Sequence, residues 1–250
     1  MFTPGGLIAG AVAAVIIGMS KTGLPGSALA AVPLVALVVD GRLIPGATLP
    51  LLIVGDLFAI AWYHRFARWD VLRGLAPSLG VGFALGITFF VLVGTATRQL
   101  ERSIGIILVV IVVFQIWRMF RETSSEVSRA AVAGFGTGGG FTTFVANAAG
   151  PLINTYLATM RPQKSELLGT AAWLYFAVNL AKIPFYLALG AWSDGGPFFT
   201  GESLLWNLAL IPGILLGVVA GRVLYHRIPQ RQFLLAVLVL SAAGAVLLII

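Results

Sequence analysis

Cysteine is absent from this 250-residue chain, and histidine occurs only twice. No disulfide or thiolate metal site can form, and the absence says nothing about compartment. His64 and His226 fall at expected loop positions with no ligand set beside them. That argues against a His-rich metal centre and against the nucleophile–base pair of an intramembrane enzyme. Charge is scarce as well: 10% of residues are Asp, Glu, Lys or Arg, where a soluble domain carries roughly 25%. The longest polar stretch, Arg118–Arg129, has the length of a loop, so no soluble domain is expected. Met1-Phe2-Thr3-Pro4 lacks the basic start of a secretory signal. What is present is apolar: 59% hydrophobic residues and a mean hydropathy of +0.99. The expectation is an all-α polytopic membrane protein in a lipid bilayer. The net charge of +7 sits in short loops, which reads as topology information and not as a nucleic-acid patch.

Six stretches are long enough to cross a bilayer: 44–63, 75–94, 103–120, 167–190, 204–223 and 233–250. Two further apolar segments, 6–39 and 130–160, have 34 and 31 residues and a glycine-marked polar break in each. One crossing takes about 20 helical residues and two take roughly 40 plus a turn. Each segment therefore fits two half-length helices that dip into the bilayer and return. Charge tests this idea. With dipping segments, Arg65, Arg68, Arg73, Arg118, Arg121, Arg129, Arg161, Lys164, Arg222, Arg227 and Arg231 share one side, and Arg42, Arg98 and Arg102 the other, 11 against 3. With two full crossings instead, the split is 6 against 8. Cytoplasmic loops carry the Lys/Arg excess, so the dipping arrangement is preferred, with both termini outside. The competing arrangement makes the first segment one long, bent span.

The halves repeat. Gly18 and Pro33 recur as Gly136 and Pro151 at an offset of 118, and Pro77, Gly82 and Gly86 recur as Pro212, Gly217 and Gly221 at an offset of 135. Glycines four apart on a helix form a stripe that another helix can approach closely. Three full crossings per half make the halves run in opposite directions. The predicted architecture is two inverted-topology repeats, 1–122 and 123–250, each a broken-helix hairpin plus three transmembrane helices.

The first break is read at Gly18-Met19-Ser20-Lys21-Thr22-Gly23-Leu24-Pro25-Gly26. It lacks the Gly-Lys-[Ser/Thr] order of a phosphate loop. Lys21 near mid-bilayer is costly unless paired or wet, and defaults to a functional role. An outgoing helix starting near Ser27 offers unpaired N–H groups to an anion, and Thr22 and Gly23 lie in the same turn. The second break is read at Gly134–Thr143, where Gly138, Gly139 and Gly140 expose backbone N–H and Thr137, Thr142 and Thr143 bring hydroxyls, with Asn147 just beyond. Tyr175, Asn179, Lys182 and Tyr186 share one helix face. Asp56 holds the matching internal position of the first half, either paired with a lysine or carrying a coupling proton. Trp62, Trp69, Trp117, Trp192 and Trp206 read as interfacial anchors. Glu101, Glu122, Glu126, Glu166, Asp194 and Glu202 read as solvated.

At its break points and glycine stripes the sequence resembles the TauE/SafE sulfite exporter family. The residues carrying this are Gly18 through Gly26 with Pro33, Gly136 through Gly140 with Pro151, and the Pro77/Gly82/Gly86 and Pro212/Gly217/Gly221 sets. The first turn departs from the commoner glycine-rich form at Ser20-Lys21-Thr22. The resemblance implies movement of small sulfur anions such as sulfite and sulfonates, or other organic anions, across the inner (cytoplasmic) membrane. Spacing alone gives an anion at paired hairpin tips; the expectation built on it is a secondary transporter, with a proton or sodium as the candidate coupling ion. A passive anion channel and a small-carboxylate transporter are the alternatives. No cofactor, metal or nucleic acid is expected; a homo-oligomer is compatible with the sequence.

Overall fold

Thr3 caps the first helix by accepting the Gly6 N–H on its hydroxyl at 3.1 Å, and Pro4 opens it where a missing N–H costs nothing. In the computed structural model, which describes residues 1–93, 97–120, 128–192, 196–224 and 230–250, this helix (α1, Pro4–Thr22) runs unbroken to Gly23. A 3-10 turn, Ser27–Ala30, leads into α2 (Ala31–Ala36). Then follow α3 (Leu43–Tyr63), α4 (Trp69–Val93) and α5 (Thr97–Met119). The second half has α6 (Arg129–Ala146), α7 (Gly150–Thr159), α8 (Lys164–Trp192), α9 (Gly201–Leu224) and α10 (Gln230–Ile249). Among the described residues six helices are long and apolar enough to cross a membrane: α1, α3, α4, α5, α8 and α9. Arg121, Glu122, Glu126, Asp194, His226 and Arg227 lie outside the described residues.

The glycine stripes decide which helices meet. On α4, a Cβ at Gly82 would stand 2.1 Å from the Thr137 carbonyl oxygen of α6, and one at Gly86 would stand 2.7 Å from Phe144. On α9, a Cβ at Gly217 would stand 2.1 Å from the Val15 carbonyl oxygen of α1, and one at Gly221 would stand 2.8 Å from the Met19 backbone. Without a hydrophobic drive between helices in lipid, such close backbone packing is a main source of association. In each half the stripe thus serves the long limb of the other half. α3 packs on α8 and α5 on α10. Exchanging the halves maps this set of pairs onto itself.

The hairpins are less symmetric than two half-length helices. Their long limbs have 19 and 18 residues, and their return limbs, Ser27–Ala36 and Gly150–Thr159, have 10 each. The breaks also lie later than the glycines suggest. The first is Gly23–Gly26, with Gly26 in the left-handed region at φ 94°, and the second is Asn147–Ala149, with Asn147 at φ 53°. Lys21 and Thr22 end α1, and Gly134 through Thr143 lie inside α6. The physical reason is that apolar surroundings demand an intact backbone ladder, and the glycines serve packing instead. The Met1 ammonium meets Glu202 at 3.0 Å and Arg42 bonds the Gly196 carbonyl. Val132 and Met160 pack against one hydrophobic cluster that includes Val71, Leu75 and Leu157. Trp206 is no interfacial anchor: it is fully buried, with its ring where a Gly10 side chain would be.

Candidate functional site

The two hairpin tips meet. A Cβ on Gly150 would lie 3.4 Å from the Gly26 Cα, so the start of α7 sits against the start of the first return limb. Between the tips, α3 and α8 lies a cavity of about 40 Å³ whose walls include Ser20, Lys21, Gly26, Asn147, Tyr175 and Asn179. One water needs roughly 10–15 Å³ measured this way, so the space takes about three waters or one oxyanion of few atoms. The N-terminal end of α7, at Ala149 and Gly150, borders it and supplies positive partial charge.

The charged group at the wall is an ion pair. Lys21 Nζ stands 2.6 Å from Asp56 Oδ1, and Asn179 Nδ2 donates to Asp56 Oδ2 at 2.7 Å. Asp56 is fully buried and Lys21 is 8% exposed. A buried pair of this kind persists only when its geometry and its remaining hydrogen bonds offset desolvation, and here Asn179 supplies one of them. Tyr175 supports the lysine through its ring, 4.7 Å from Nζ, and donates its hydroxyl to Asn154 Oδ1 at 3.1 Å. Behind the cavity wall, Lys182 donates to Thr143 O and Oγ1 at 3.2 Å each and to Asn147 Oδ1 at 2.5 Å. With Lys182 also wholly buried, the three ionisable groups sum to one positive charge when all are ionised.

Lys21, Asn147 and Asn179, singled out in the sequence, line the cavity together, with Asp56 and Lys182 in contact behind them. The others face elsewhere. Thr22 donates its hydroxyl to Val218 O at 2.8 Å, and a Cβ at Gly23 would collide with Gly221 O, so both serve the contact with α9. Ser27 donates to Ile16 O. The Thr137 carbonyl abuts Gly82, Gly138 faces Leu152, Gly139 faces Ile153, and Gly140 faces Leu79 O. Thr142 bonds back to Gly138 O at 2.8 Å. Sequence reasoning passed over Asn154, although a lone amide in the apolar stretch 150–160 was a usable signal.

The two ends of the site differ. Pro25, Gly26 and Asn154 also border a second cavity of about 240 Å³, which continues to Gln115, Arg118, Ala158 and Leu167, the end that carries Arg161 and Lys164. Toward Arg42, aromatic side chains pack on one another. Tyr186 stacks on Phe198 at 4.6 Å between ring centroids, and Phe90 and Phe144 close around them at 5.4–6.4 Å. The Arg42 guanidinium lies over Phe198, 5.5 Å from its ring centroid.

Comparison with curated proteins and with solved structures gave no match. The sequence profile described as "Sulfite exporter TauE/SafE" matches residues 6–248, nearly the whole chain. With helices able to cross a membrane, two glycine-packed halves and hairpin tips that meet over a buried lysine, the chain belongs to the TauE/SafE sulfite exporter family of membrane transporters.

Proposed function

We propose that this protein is a secondary transporter that exports a small sulfur oxyanion, sulfite or an organosulfonate, across the cytoplasmic membrane by alternating access. The observation that carries the reading is the Lys21–Asp56 pair at the wall of a cavity between two hairpin tips. In this reading Lys21 receives the anion, with the α7 N-terminus and the Asn154 amide beside it. Asp56 competes with the anion for Lys21. A proton on Asp56 removes the competitor and adds one positive charge to the site, so that anion and proton move together in the same direction. The halves are inverted-topology repeats, and the termini lie outside. The cavity of Gln115 and Arg118 then opens toward the cytoplasm, while the Phe90–Phe144–Tyr186–Phe198 cluster closes the outer side. That one-sided closure favours a transporter over a passive channel, which needs a continuous path.

The test is binding of sulfite and sulfoacetate to purified protein. Lys21→Gln is expected to weaken binding at least tenfold, about 1.4 kcal/mol, while the protein stays folded. Unchanged affinity removes Lys21 from the site. Binding of small carboxylates in place of both sulfur anions replaces the substrate class but keeps the site.

A further inference from the structure

Lys182 has no task in the transport reading, and its surroundings are specific. It projects from α8 onto the C-terminal end of α6, where the carbonyls carry negative partial charge and the Thr143 carbonyl also accepts the Asn147 N–H at 3.1 Å. Its ammonium donates to three oxygens, Thr143 O, Thr143 Oγ1 and Asn147 Oδ1. Three acceptors match the three N–H bonds of an ammonium, where a neutral amine has only two. Asn147 is held in orientation, because its Nδ2 donates to Pro45 O at 2.9 Å, which turns its oxygen to the lysine. One helical turn further on, Tyr186 donates to Phe144 O, so α8 satisfies two successive terminal carbonyls of α6.

The matching position of the first half carries no lysine. Asp56 and Asn179, Ala59 and Lys182, and Tyr63 and Tyr186 share one offset of 123 residues between α3 and α8. Tyr63 repeats the role of Tyr186, directing its hydroxyl to the Thr22 carbonyl at the end of α1, at 3.5 Å. Ala59, by contrast, carries no charge and borders the cavity. The ammonium is an addition to one half only.

Main-chain carbonyls at interrupted helix ends are ligands with which transporters coordinate sodium; here one such carbonyl has a hydroxyl and an amide oxygen beside it. We propose that Lys182 is a tethered cation: its ammonium fills an oxygen cage at the end of α6 that would otherwise take a sodium ion. The protein therefore works without sodium, and removing the lysine exposes a sodium site. This inference goes beyond the anion reading and does not depend on it.

The experiment is thermal unfolding of purified protein in sodium, potassium or choline chloride at equal ionic strength. Wild type is expected to melt at the same temperature in all three. Lys182→Ala is expected to melt lower than wild type in choline and to recover by several degrees in sodium, saturably. Lys182→Met, which refills the space with an apolar chain, and Lys182→Ala combined with Thr143→Val, which removes one oxygen, are expected to show no such recovery. Isolation of folded Lys182→Ala only when sodium is present throughout supports the cage equally. Recovery of that variant in neither salt, a melting temperature indifferent to sodium, or a sodium response in wild type overturns the proposal. None of these readouts involves sulfur anions, so failure of the anion reading leaves this test intact.

Discussion

Replacing Asp56 by Asn keeps the shape of the side chain and an acceptor for Asn179 but removes the charge that faces Lys21. At the observed 2.6 Å and an effective dielectric of about 20, two unit charges attract by about 6 kcal/mol. Desolvation offsets part of this, and removing one member of a buried pair costs about 3–5 kcal/mol. In a protein of this size each kcal/mol lowers the melting temperature by roughly 2–4 °C, so the variant is expected to melt about 10 °C below wild type without anion. An anion beside Lys21 replaces the missing carboxylate. If only a quarter of the attraction is transferred to it, affinity rises about tenfold, the equivalent of 1.4 kcal/mol. Sulfite titration of purified protein, followed by melting temperature, measures both effects. Asp56→Asn should start lower than wild type, gain more from sulfite and bind it more tightly, and its affinity for sulfoacetate, whose charge is constant near neutrality, should no longer change with pH. Wild-type affinity should strengthen as pH falls, because protonated Asp56 no longer competes. Equal or weaker sulfite binding by Asp56→Asn contradicts competition between anion and carboxylate for Lys21.

Two further predictions concern the scaffold. Gly82→Leu and Gly217→Leu place side chains into the Thr137 and Val15 backbones and are expected to abolish recovery of folded protein, whereas Gly80→Ala, which meets nothing within 4 Å, should melt within about 2 °C of wild type; size-exclusion profiles and melting curves separate the cases. Because the chain has no cysteine, Asp40→Cys and Gln163→Cys report topology: an impermeant thiol reagent on intact cells should label position 40 and not 163, and labelling of 163 alone reverses the orientation.

Much of this fold was readable from hydropathy, because a bilayer imposes a length on each helix and a cost on each charge. The span read at 44–63 forms Leu43–Tyr63, and the one at 204–223 forms Gly201–Leu224. The repeated Gly82/Gly86 and Gly217/Gly221 sets do mark close helix approach. The breaks were harder, because glycine has two uses in a membrane helix. It permits an interruption, and it lets another backbone come near. Gly136, Gly139 and Gly140 serve close approach of neighbouring helices, which single-sequence reading cannot separate from the first use, while the interruption falls at Asn147, a residue that tolerates the left-handed region. Lys21, Asp56, Asn179 and Lys182 stood out individually because charge and amide groups are rare in these segments. Their pairing did not, since nothing in sequence spacing puts Lys21 beside Asp56 and Lys182 beside Asn147 in place of the reverse. The place of Asn154 beside the first tip came only with the structure, where the return limb α7 carries it to Tyr175 and the cavity wall.

Sulfite and sulfoacetate efflux from proteoliposomes of the purified protein, with and without an imposed pH gradient, bears on transport itself. Saturable efflux of at least one anion, accelerated by an inside-acid gradient in wild type and insensitive to it in Asp56→Asn, is what a proton-coupled anion exporter built on the Lys21–Asp56 pair requires. Absence of efflux for both anions, or efflux that grows without saturation and ignores the gradient, contradicts it.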